Sequence, residues 1–290
     1  MKERKQGRFA RIRVVIGGLL LGLASSANAA VTAPMLEVGI FPYLSPRALL
    51  SAHATMRDYL ETELEQPVSL STAPSYRDVY ERTRSGEYGM VILPPHLARL
   101  AQIEAGYIPI AVYSRVLKGV IAVRRDSPYR KVEDLNGKHL VAPDRIAIVT
   151  FIGVQYLREH GLHAGTHYTL STSTSHSSAA YSVVQKEFDA VITERVAFES
   201  QIPQEVRARL RELATMGSTP HVMFLAHPRL GKERISRLRD TLLRFGNDTP
   251  EGKRLMEKNG FEGIRTVTEA DLRAMDVYLP DLRPILEQTP

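Results

Sequence analysis

The chain has 290 residues, 43% of them hydrophobic and 24% charged, which is long enough for two globular lobes and too apolar for a disordered protein. It contains no cysteine, and this excludes disulfides, a thiolate nucleophile, cysteine metal sites and a lipid-modified cysteine. The net charge of +6 comes mostly from the first 29 residues, because without their six basic residues and one acidic residue 32 Lys and Arg face 31 Asp and Glu. A nearly neutral chain gives no electrostatic argument for a nucleic-acid partner.

Residues 1–29 have the pattern of a secretory signal peptide. A basic segment ends at Arg13, an apolar segment spans Val14–Ala24, and Ala27-Asn28-Ala29 matches a cleavage site. The apolar segment is shorter than a membrane-spanning helix usually is, and glycines interrupt it. The alternative to a cleaved signal peptide is an uncleaved membrane anchor. We therefore expect a mature protein that is released into the bacterial periplasm without membrane insertion.

The first part of the mature chain alternates strands and helices that are joined by short turns. The predicted elements are a strand at Met35–Ile40, a helix from Pro46 to about Leu64, a strand at Val68–Thr72, a helix at Tyr76–Ser85, a strand at Tyr88–Leu93, a helix opened by Pro94-Pro95-His96 and ending near Ala105, and a strand at Ile108–Tyr113. This order favours a parallel sheet with helices on its faces. Ligands bind at the carboxyl ends of such strands, here Tyr43–Ser45, Pro74–Tyr76 and Pro94–His96.

A second series of predicted strands and helices begins after Arg115. The elements predicted there are a strand at Gly119–Val123, a short helix and turn at Glu133–Lys138, a strand at His139–Ala142, a helix reaching Glu159, a strand beginning at Tyr168, a helix after Ser175, a strand at Ala190–Thr193, a helix at Glu205–Leu213, a strand at Val222–Ala226, and helices at Lys232–Phe245, Pro250–Asn259 and Glu269–Tyr278. We expect two α/β lobes. The first comprises residues 30–114 and 220–290, and the second, residues 115–219, is inserted into it.

A hydroxyl-rich loop precedes the helix that begins near Ser175 in the stretch Tyr168–Glu194. Serine before a helix caps free N–H groups, and the same N–H groups with the helix dipole can bind an anion. Ser175, His176 and Ser177 could therefore hold an anionic ligand, or they could form an ordinary capped helix after a polar turn.

Several segments together resemble a known family. They are Gly39–Pro46, Tyr76–Val79, Met90–Leu93 with Pro94-Pro95, Arg125–Ser127 with Asp134–Lys138, Ser175-His176 and Phe188–Ala190. In this order and spacing they are similar to the phosphate, phosphite and phosphonate substrate-binding proteins of ABC transporters, from Met35 to about Tyr278. The resemblance implies a type II periplasmic binding protein, whose two lobes, each a mostly parallel sheet flanked by helices, close on one small ligand about a two-stranded hinge. It also implies that tyrosines, hydroxyls, N–H groups and a histidine hold an oxyanion without a metal or cofactor.

The resemblance places Tyr43 and Ser45 in the ligand loop of the first lobe, and His176 at the position of the family's histidine. The chain departs from the family at Ala142–Thr150, which replaces a Ser-Thr-Ser-Gly-type anion loop. Arg145 could compensate by pairing with an oxyanion, or it could pair with a carboxylate at the surface. The candidate ligand-binding residues are Tyr43, Ser45, Tyr76, His96, Arg145, Thr150, Ser175, His176, Ser177 and Glu194.

Glu194 ends a strand beside the predicted cleft. A carboxylate that faced the cleft would select a ligand with an amine, and one at the rim would be solvated. Both readings are open.

No catalytic or metal motif stands out in the sequence. His160, His163 and His167 lie at and beyond a glycine helix stop, so their rings need not share a face. Ser175 and His176 are adjacent, and adjacent side chains diverge. No GxxxxGK phosphate loop is present. We therefore expect a protein that is not an enzyme.

Two functions fit these observations. The first is a monomeric periplasmic binding protein that delivers a small oxyanion, phosphonate-, phosphate- or phosphite-like, to an inner-membrane ABC permease. The second is a periplasmic sensory or adaptor protein whose ligand-dependent closure is read by a membrane sensor.

Overall fold

The computed structural model describes residues 34–288, and its strands form two sheets. The predicted signal peptide lies outside the described residues. The first sheet contains β1 (Leu36–Ile40), β2 (Val68–Thr72), β3 (Met90–Leu93), β4 (Ile108–Tyr113), β10 (Met223–Ala226) and β11 (Ile264–Arg265), and the second contains β5 (Leu117–Arg124), β6 (Lys138–Ala142), β7 (Tyr168–Thr172), β8 (Ala190–Glu194) and β9 (Leu210–Thr219).

Helices connect and cover these strands. They are α1 (Pro46–Leu64), α2 (Tyr76–Arg84), α3 (Pro95–Ala105), α4 (Ile148–Glu159), α5 (His176–Val184), α6 (Gln204–Arg207), α7 (Lys232–Asp248), α8 (Pro250–Lys258), α9 (Glu269–Arg273) and α10 (Leu279–Glu287). Short 3₁₀ turns lie at Val132–Leu135, Pro228–Leu230 and Asp276–Tyr278, and a π-helical turn lies at Ala197–Gln201. Within residues 34–288, none of these helices has the length and apolarity that crossing a membrane requires.

The first sheet has the order β11-β4-β10-β3-β1-β2. Strands β2 and β3 both pair with β1 in parallel, so their carboxyl ends meet at one edge of the sheet. Strand β10 runs antiparallel between β3 and β4, which leaves β4 parallel to β1–β3. The parallel arrangement predicted for the first four strands is therefore confirmed, with one returning strand placed among them.

The second sheet has the order β7-β6-β8-β5-β9. Strand β6 pairs in parallel with β7 and β8, whereas β5 pairs antiparallel with β8 and β9. The chain passes from the first sheet to the second through residues 114–116 and returns through residues 220–222. These two crossings correspond to the two-stranded connection that the resemblance implies.

The helix boundaries follow local capping chemistry. Ser75 accepts a hydrogen bond from the Asp78 N–H at 3.1 Å and its hydroxyl donates to the Asp78 carboxylate at 2.7 Å, so its side chain caps the start of α2. Gly106 ends α3 with φ +68°, a backbone conformation that glycine adopts without strain. Ser45 precedes α1, but its side chain makes no capping hydrogen bond. Pro46 therefore sets the start of α1 without help from the serine hydroxyl.

The helix predicted at Glu205–Leu213 is wrong. The structure has only the short helix α6 there, followed by the ten-residue strand β9. Strand β9 pairs with β5 over its whole length, from Arg124 opposite Leu210 to Leu117 opposite Thr219. This long-range pairing supplies the outer strand of the second sheet and overrides the helix propensity of the segment.

The C-terminal region also differs in detail from the prediction. The helix predicted at Glu269–Tyr278 is divided into α9 and a 3₁₀ turn, and α10 follows it. The two-residue strand β11, which pairs with β4, is too short to give a sequence pattern.

Candidate functional site

A cavity of about 320 Å³ lies between the two sheets, beside the carboxyl ends of β1, β3 and β8. Both parts of the chain line it. The residues from the first sheet and its connections are Phe41, Tyr43, Leu44, His53, Tyr76, Ile92, Pro94, Tyr113, His221, Val222, Lys258, Asn259 and Phe261, and those from the second are Leu117, Ala147, Ile148, Val149, His176, Glu194, Val196, Ala197, Ser200 and Gln201. A cavity of this size suits a small ligand.

Aromatic side chains form one wall of the cavity. The ring of Phe41 lies 4.9 Å from that of Tyr43 and 5.6 Å from that of Tyr76, and Tyr113 stacks on Phe261 at 4.0 Å. Burial raises the pKa of Tyr43 to about 12 and also raises the pKa values of Tyr76 and Tyr113. The three tyrosines are therefore neutral, and their hydroxyls are available as hydrogen-bond donors.

Three neutral histidines face the cavity. Burial lowers the pKa values of His176 and His221 to about 4, and it also lowers the pKa of His53. The Nδ1 of His221 accepts the Val222 N–H at 2.8 Å, so its proton is on Nε2. His53 instead donates its Nδ1 proton to the Leu49 carbonyl at 3.0 Å. His221 can thus donate to a ligand, whereas the free nitrogen of His53 can only accept.

The N-terminus of α4 opens on the cavity without a capping side chain. Ala147 occupies the capping position and makes no side-chain hydrogen bond, and Ile148 and Val149 begin the helix. The Thr150 N–H donates to the Ala147 carbonyl at 2.9 Å, while the two preceding N–H groups lack an intrahelical acceptor by position. These N–H groups and the helix dipole favour an anion at this end of α4, and the nearby Asp144 carboxylate, which accepts the Ile146 and Ala147 N–H groups, opposes it.

Hydrogen bonds from both the backbone and side chains hold the loop before α4 in place. Asp144 accepts the Ile146 N–H at 2.6 Å, and the Thr150 hydroxyl donates to the Asp144 carbonyl at 2.6 Å. His96, on α3, donates from Nε2 to the Ile146 carbonyl at 2.8 Å and packs against Phe151. His96 and Thr150, both predicted as ligand-binding residues, therefore lie behind this loop and do not line the cavity.

The N-terminus of α5 is capped by its own serines. The Ser175 hydroxyl accepts the Ser178 N–H at 3.1 Å, and the Ser178 hydroxyl accepts the Ser175 N–H at 3.0 Å. Ser177 donates to the Gln201 carbonyl at 2.7 Å. Of the three predicted residues here, only His176 lines the cavity, with its Nδ1 2.7 Å from the Thr193 hydroxyl.

Four of the ten predicted residues meet in the cavity, namely Tyr43, Tyr76, His176 and Glu194. Ser45 and Arg145 are exposed and lie outside the lining. Sequence reasoning missed Tyr113 and His221, which border the two crossings between the sheets. Their positions at the ends of predicted elements next to those crossings were the available signal.

The charged groups of the lining are few. The only basic side chain among the described lining residues is Lys258, which is exposed at the end of α8. Glu194 is buried, and burial raises its pKa, while N–H groups of residues 196 and 197 and the nearby Arg115 oppose that rise. Within residues 34–288 no three His, Asp or Glu side chains are grouped as metal ligands, including His160, His163 and His167. Apart from the exposed Lys258, the hydrogen-bond donors of the described lining are therefore neutral.

A family model described as the periplasmic substrate-binding protein of phosphonate ABC transporters matches residues 38–272. The chain belongs to this family. Its members are binding proteins of transport systems and not enzymes, and their location is the periplasm.

Solved structures show the same two-lobed fold of type II periplasmic binding proteins. PhnD1 of Prochlorococcus marinus, solved in complex with methylphosphonate, has a TM-score of 0.75 at 14% identity over 86% of this chain and 98% of its own. A Xanthomonas citri protein solved with bound ATP has a TM-score of 0.74 at 16% identity over 87% of this chain and 99% of its own. The binding component of a phosphonate ABC transporter from Pseudomonas aeruginosa has a TM-score of 0.73 at 15% identity over 88% and 90% of the two chains.

Proposed function

We propose that this protein captures a small oxyanion, phosphonate-, phosphate- or phosphite-like, in the periplasm and delivers it to an inner-membrane ABC permease. The observation that carries the proposal is that two sets of hydrogen-bond donors, one from each sheet and its connections, line one cavity. One is the uncapped N-terminus of α4 from the second sheet, and the other is the tyrosines Tyr43, Tyr76 and Tyr113 from the first.

The oxyanion would accept hydrogen bonds from the N–H groups of Ile148 and Val149, which replace the hydroxyl loop that this chain lacks. Such bonds are strong because the acceptor is charged and the surroundings are largely apolar. Tyrosine hydroxyls and the Nε2 proton of His221 would complete the anion's coordination. Neutral donors suffice for this purpose when they are fixed in place before the ligand arrives.

The two lobes give the proposal its mechanism. We infer that residues 30–114 and 220–290 form one lobe, that residues 115–219 form the other, and that they close about the crossings at 114–116 and 220–222. Closure around a ligand is the usual movement of two-lobed binding proteins. Small-angle scattering of the protein with and without ligand should show a smaller radius of gyration when ligand is present, with the protein monomeric throughout.

The direct test is a thermal-shift screen of the mature chain against phosphate, phosphite, methylphosphonate, sulfonates and amino acids. A ligand at 100 times its Kd should add about 2.7 kcal/mol to the free energy of unfolding. For lobes of this size that corresponds to a rise in Tm of about 5 to 10 °C. A flat response to every oxyanion would remove the proposal.

The sensory alternative is the weaker one, because the family to which the chain belongs consists of transport proteins. The two roles share the ligand site and differ in the partner. Uptake of labelled ligand by proteoliposomes that contain the permease and its ATPase, and only when this protein is added, would support the transport role. Ligand-dependent binding to a sensor without any stimulation of uptake would support the alternative.

A further inference from the structure

A separate cavity of about 370 Å³ on the second sheet is lined mainly by basic residues, and we call it the basic pocket. Its charged lining residues are Arg124, Arg125, Lys186 and Arg209, together with Asp126. Four positive groups therefore face one negative group. Arg125, Lys186 and Arg209 are exposed, so a dissolved ligand can reach them.

The basic pocket lies at the end of the second sheet that is opposite the ligand cavity. Gly119 of β5 pairs with Glu194 beside the ligand cavity, and Arg124 ends β5 five residues further along the strand. At about 3.3 Å per residue this places the two ends about 16 Å apart. No described residue lines both cavities. A ligand in the basic pocket would therefore be additional to the one held between the two sheets.

Backbone carbonyls hold the two arginines at the end of β5. Arg125 donates from Nε to the Ala208 carbonyl at 3.1 Å and from Nη2 to the Leu210 carbonyl at 3.2 Å, and Arg124 donates from Nη1 to two further carbonyls at 3.3 Å. A carbonyl fixes a guanidinium in place without neutralising its charge. Asp126 approaches Arg124 at 3.5 Å, but its side chain is 75% exposed, so this pair is screened by water.

Other arginines of the chain are neutralised by carboxylates. Arg195 pairs with Glu212 at 2.8 Å, and Arg265 pairs with Asp271 at 2.6 Å. Within residues 34–288, the pair of Arg124 with Asp126 is the only ion pair between residues that line the basic pocket. This end of the second sheet therefore keeps an excess of positive charge that the rest of the fold avoids.

More positive charge lies beside the basic pocket. Burial is the first cause that lowers the pKa of Arg211, and repulsion from Arg130 and Arg125 lowers it further. Like charges that are held close together repel one another, and a bound anion removes that repulsion. The cluster is thus arranged to gain from a ligand that carries several negative charges.

We propose that the basic pocket binds a small soluble anion with two or more phosphate groups. Guanidinium groups that are fixed in position suit phosphate oxygens, because they can donate two parallel hydrogen bonds. The excess of three positive charges in the lining, four minus one, calls for more than one phosphate group. The concave shape and the volume of about 370 Å³ favour a compact anion over a flat membrane surface, which would touch only the rim.

Isothermal titration calorimetry with inorganic pyrophosphate tests this proposal on the mature protein. The ligand cavity is first saturated with the compound that responds most strongly in the thermal-shift screen, or left free if no compound responds. The double variant Lys186→Gln/Arg209→Gln removes two exposed charges of the basic pocket. It should raise the Kd for pyrophosphate at least about tenfold, since each charge contributes a charge-assisted contact.

Lys232→Gln/Arg254→Gln is the matched control. It removes one lysine and one arginine from exposed positions of α7 and α8, outside the basic pocket, and so changes the net charge by the same amount. Its Kd for pyrophosphate should stay within about twofold of wild type, because distant surface charges are screened by salt.

Two results would overturn the proposal. One is the absence of pyrophosphate binding to the wild-type protein, and the other is an equal Kd in the two double variants. Sedimentation with vesicles of phosphatidylglycerol and phosphatidylcholine identifies the other kind of partner. Binding to these vesicles that Lys186→Gln/Arg209→Gln abolishes, without any binding of pyrophosphate, would assign the cluster to a membrane surface instead. None of these results bears on the proposed function, which depends on the other cavity.

Discussion

Helices α4 and α5 both begin beside the cavity, and their first turns differ in one respect. In α5 the Ser175 hydroxyl caps the Ser178 N–H, Ser178 in turn accepts the N–H of Ser175, and only His176 of the first turn lines the cavity. The N–H groups of α4 are preceded by Ala147, which cannot cap, and the apolar residues Ile148 and Val149 surround them.

The difference shows where a ligand can find free donors. A serine before a helix satisfies one N–H group of that helix, so a serine-rich helix start signals a stable helix more than a binding site. An uncapped start is costly when it is buried without a partner, unless a ligand supplies the missing acceptor. Under the proposed function, the apolar sequence at α4 is therefore the better marker of the anion site.

Acid should produce the largest effect, because it protonates buried histidines and leaves the α4 N–H groups unchanged. His96, His176 and His221 have pKa values of about 4 in the folded protein, and about 6.5 in an unfolded chain. The unfolded state therefore binds more protons below pH 6.5, and stability that is complete above that pH is lost as the pH falls toward 4. Each histidine contributes about 1.4 kcal/mol per pH unit.

Urea unfolding of the ligand-free protein between pH 7 and pH 4 measures this loss. His176→Asn should reduce the slope of the free energy of unfolding against pH by the contribution of one histidine. Ile148→Val should leave that slope unchanged. Glu194 acts in the opposite direction, since its raised pKa makes the folded protein take up a proton first. A free energy of unfolding that does not fall over this range contradicts the expectation.

Removal of one N–H group from α4 should weaken ligand binding about 10- to 100-fold, the value of a hydrogen bond to a charged group. Ile148→Pro does this at the first helical position, where proline is tolerated. Ala147 before it has φ −60° and ψ 133°, a conformation that a following proline permits. Affinity for the ligand that responds most strongly in the thermal-shift screen is measured by calorimetry.

Ile148→Val is the matched control for this experiment. It trims the buried side chain but keeps the N–H group, so its affinity should stay within about threefold of wild type. Equal affinities of the proline and valine variants would show that the α4 N-terminus does not hold the anion.

Ser175→Ala should destabilise the protein by about 1 kcal/mol, because it removes the cap of α5. Ligand affinity should not change, since the Ser175 hydroxyl bonds to the Ser178 N–H and lies outside the cavity lining. Chemical denaturation and calorimetry on the same preparation separate the two quantities. A tenfold loss of affinity with unchanged stability would assign the anion to α5 instead.

Local chemistry explains why most of the fold could be predicted from the sequence. The start of α2, at Ser75 and Asp78, and the end of α3, at Gly106, depend only on neighbouring residues. The segment at Leu210–Thr219 could not be predicted in this way, since its strand depends on pairing with β5, which lies some ninety residues earlier in the chain. Its local preference for helix gave the wrong answer.

The candidate site was less predictable, for a related reason. Tyr43 and Glu194 could be proposed because each follows or ends a predicted strand at the edge where ligands bind. His96 looked like a cleft residue, but its ring is fully buried and holds the Ile146 carbonyl. Hydroxyl and histidine side chains suit both binding and support of the backbone, and only the three-dimensional arrangement separates these roles.

The smallest effect is expected at Arg145, which the sequence offered as the replacement for the missing hydroxyl loop. Arg145 is exposed and does not line the cavity, so Arg145→Ala should change ligand affinity by less than about twofold, as is usual for a screened surface charge. Calorimetry at low and at high salt checks this, since any long-range attraction should disappear at high salt. A tenfold loss that persists at high salt would mean that closure of the lobes brings Arg145 onto the anion. The N-terminus of α4 would then act together with a cation, and its free N–H groups alone would not explain binding.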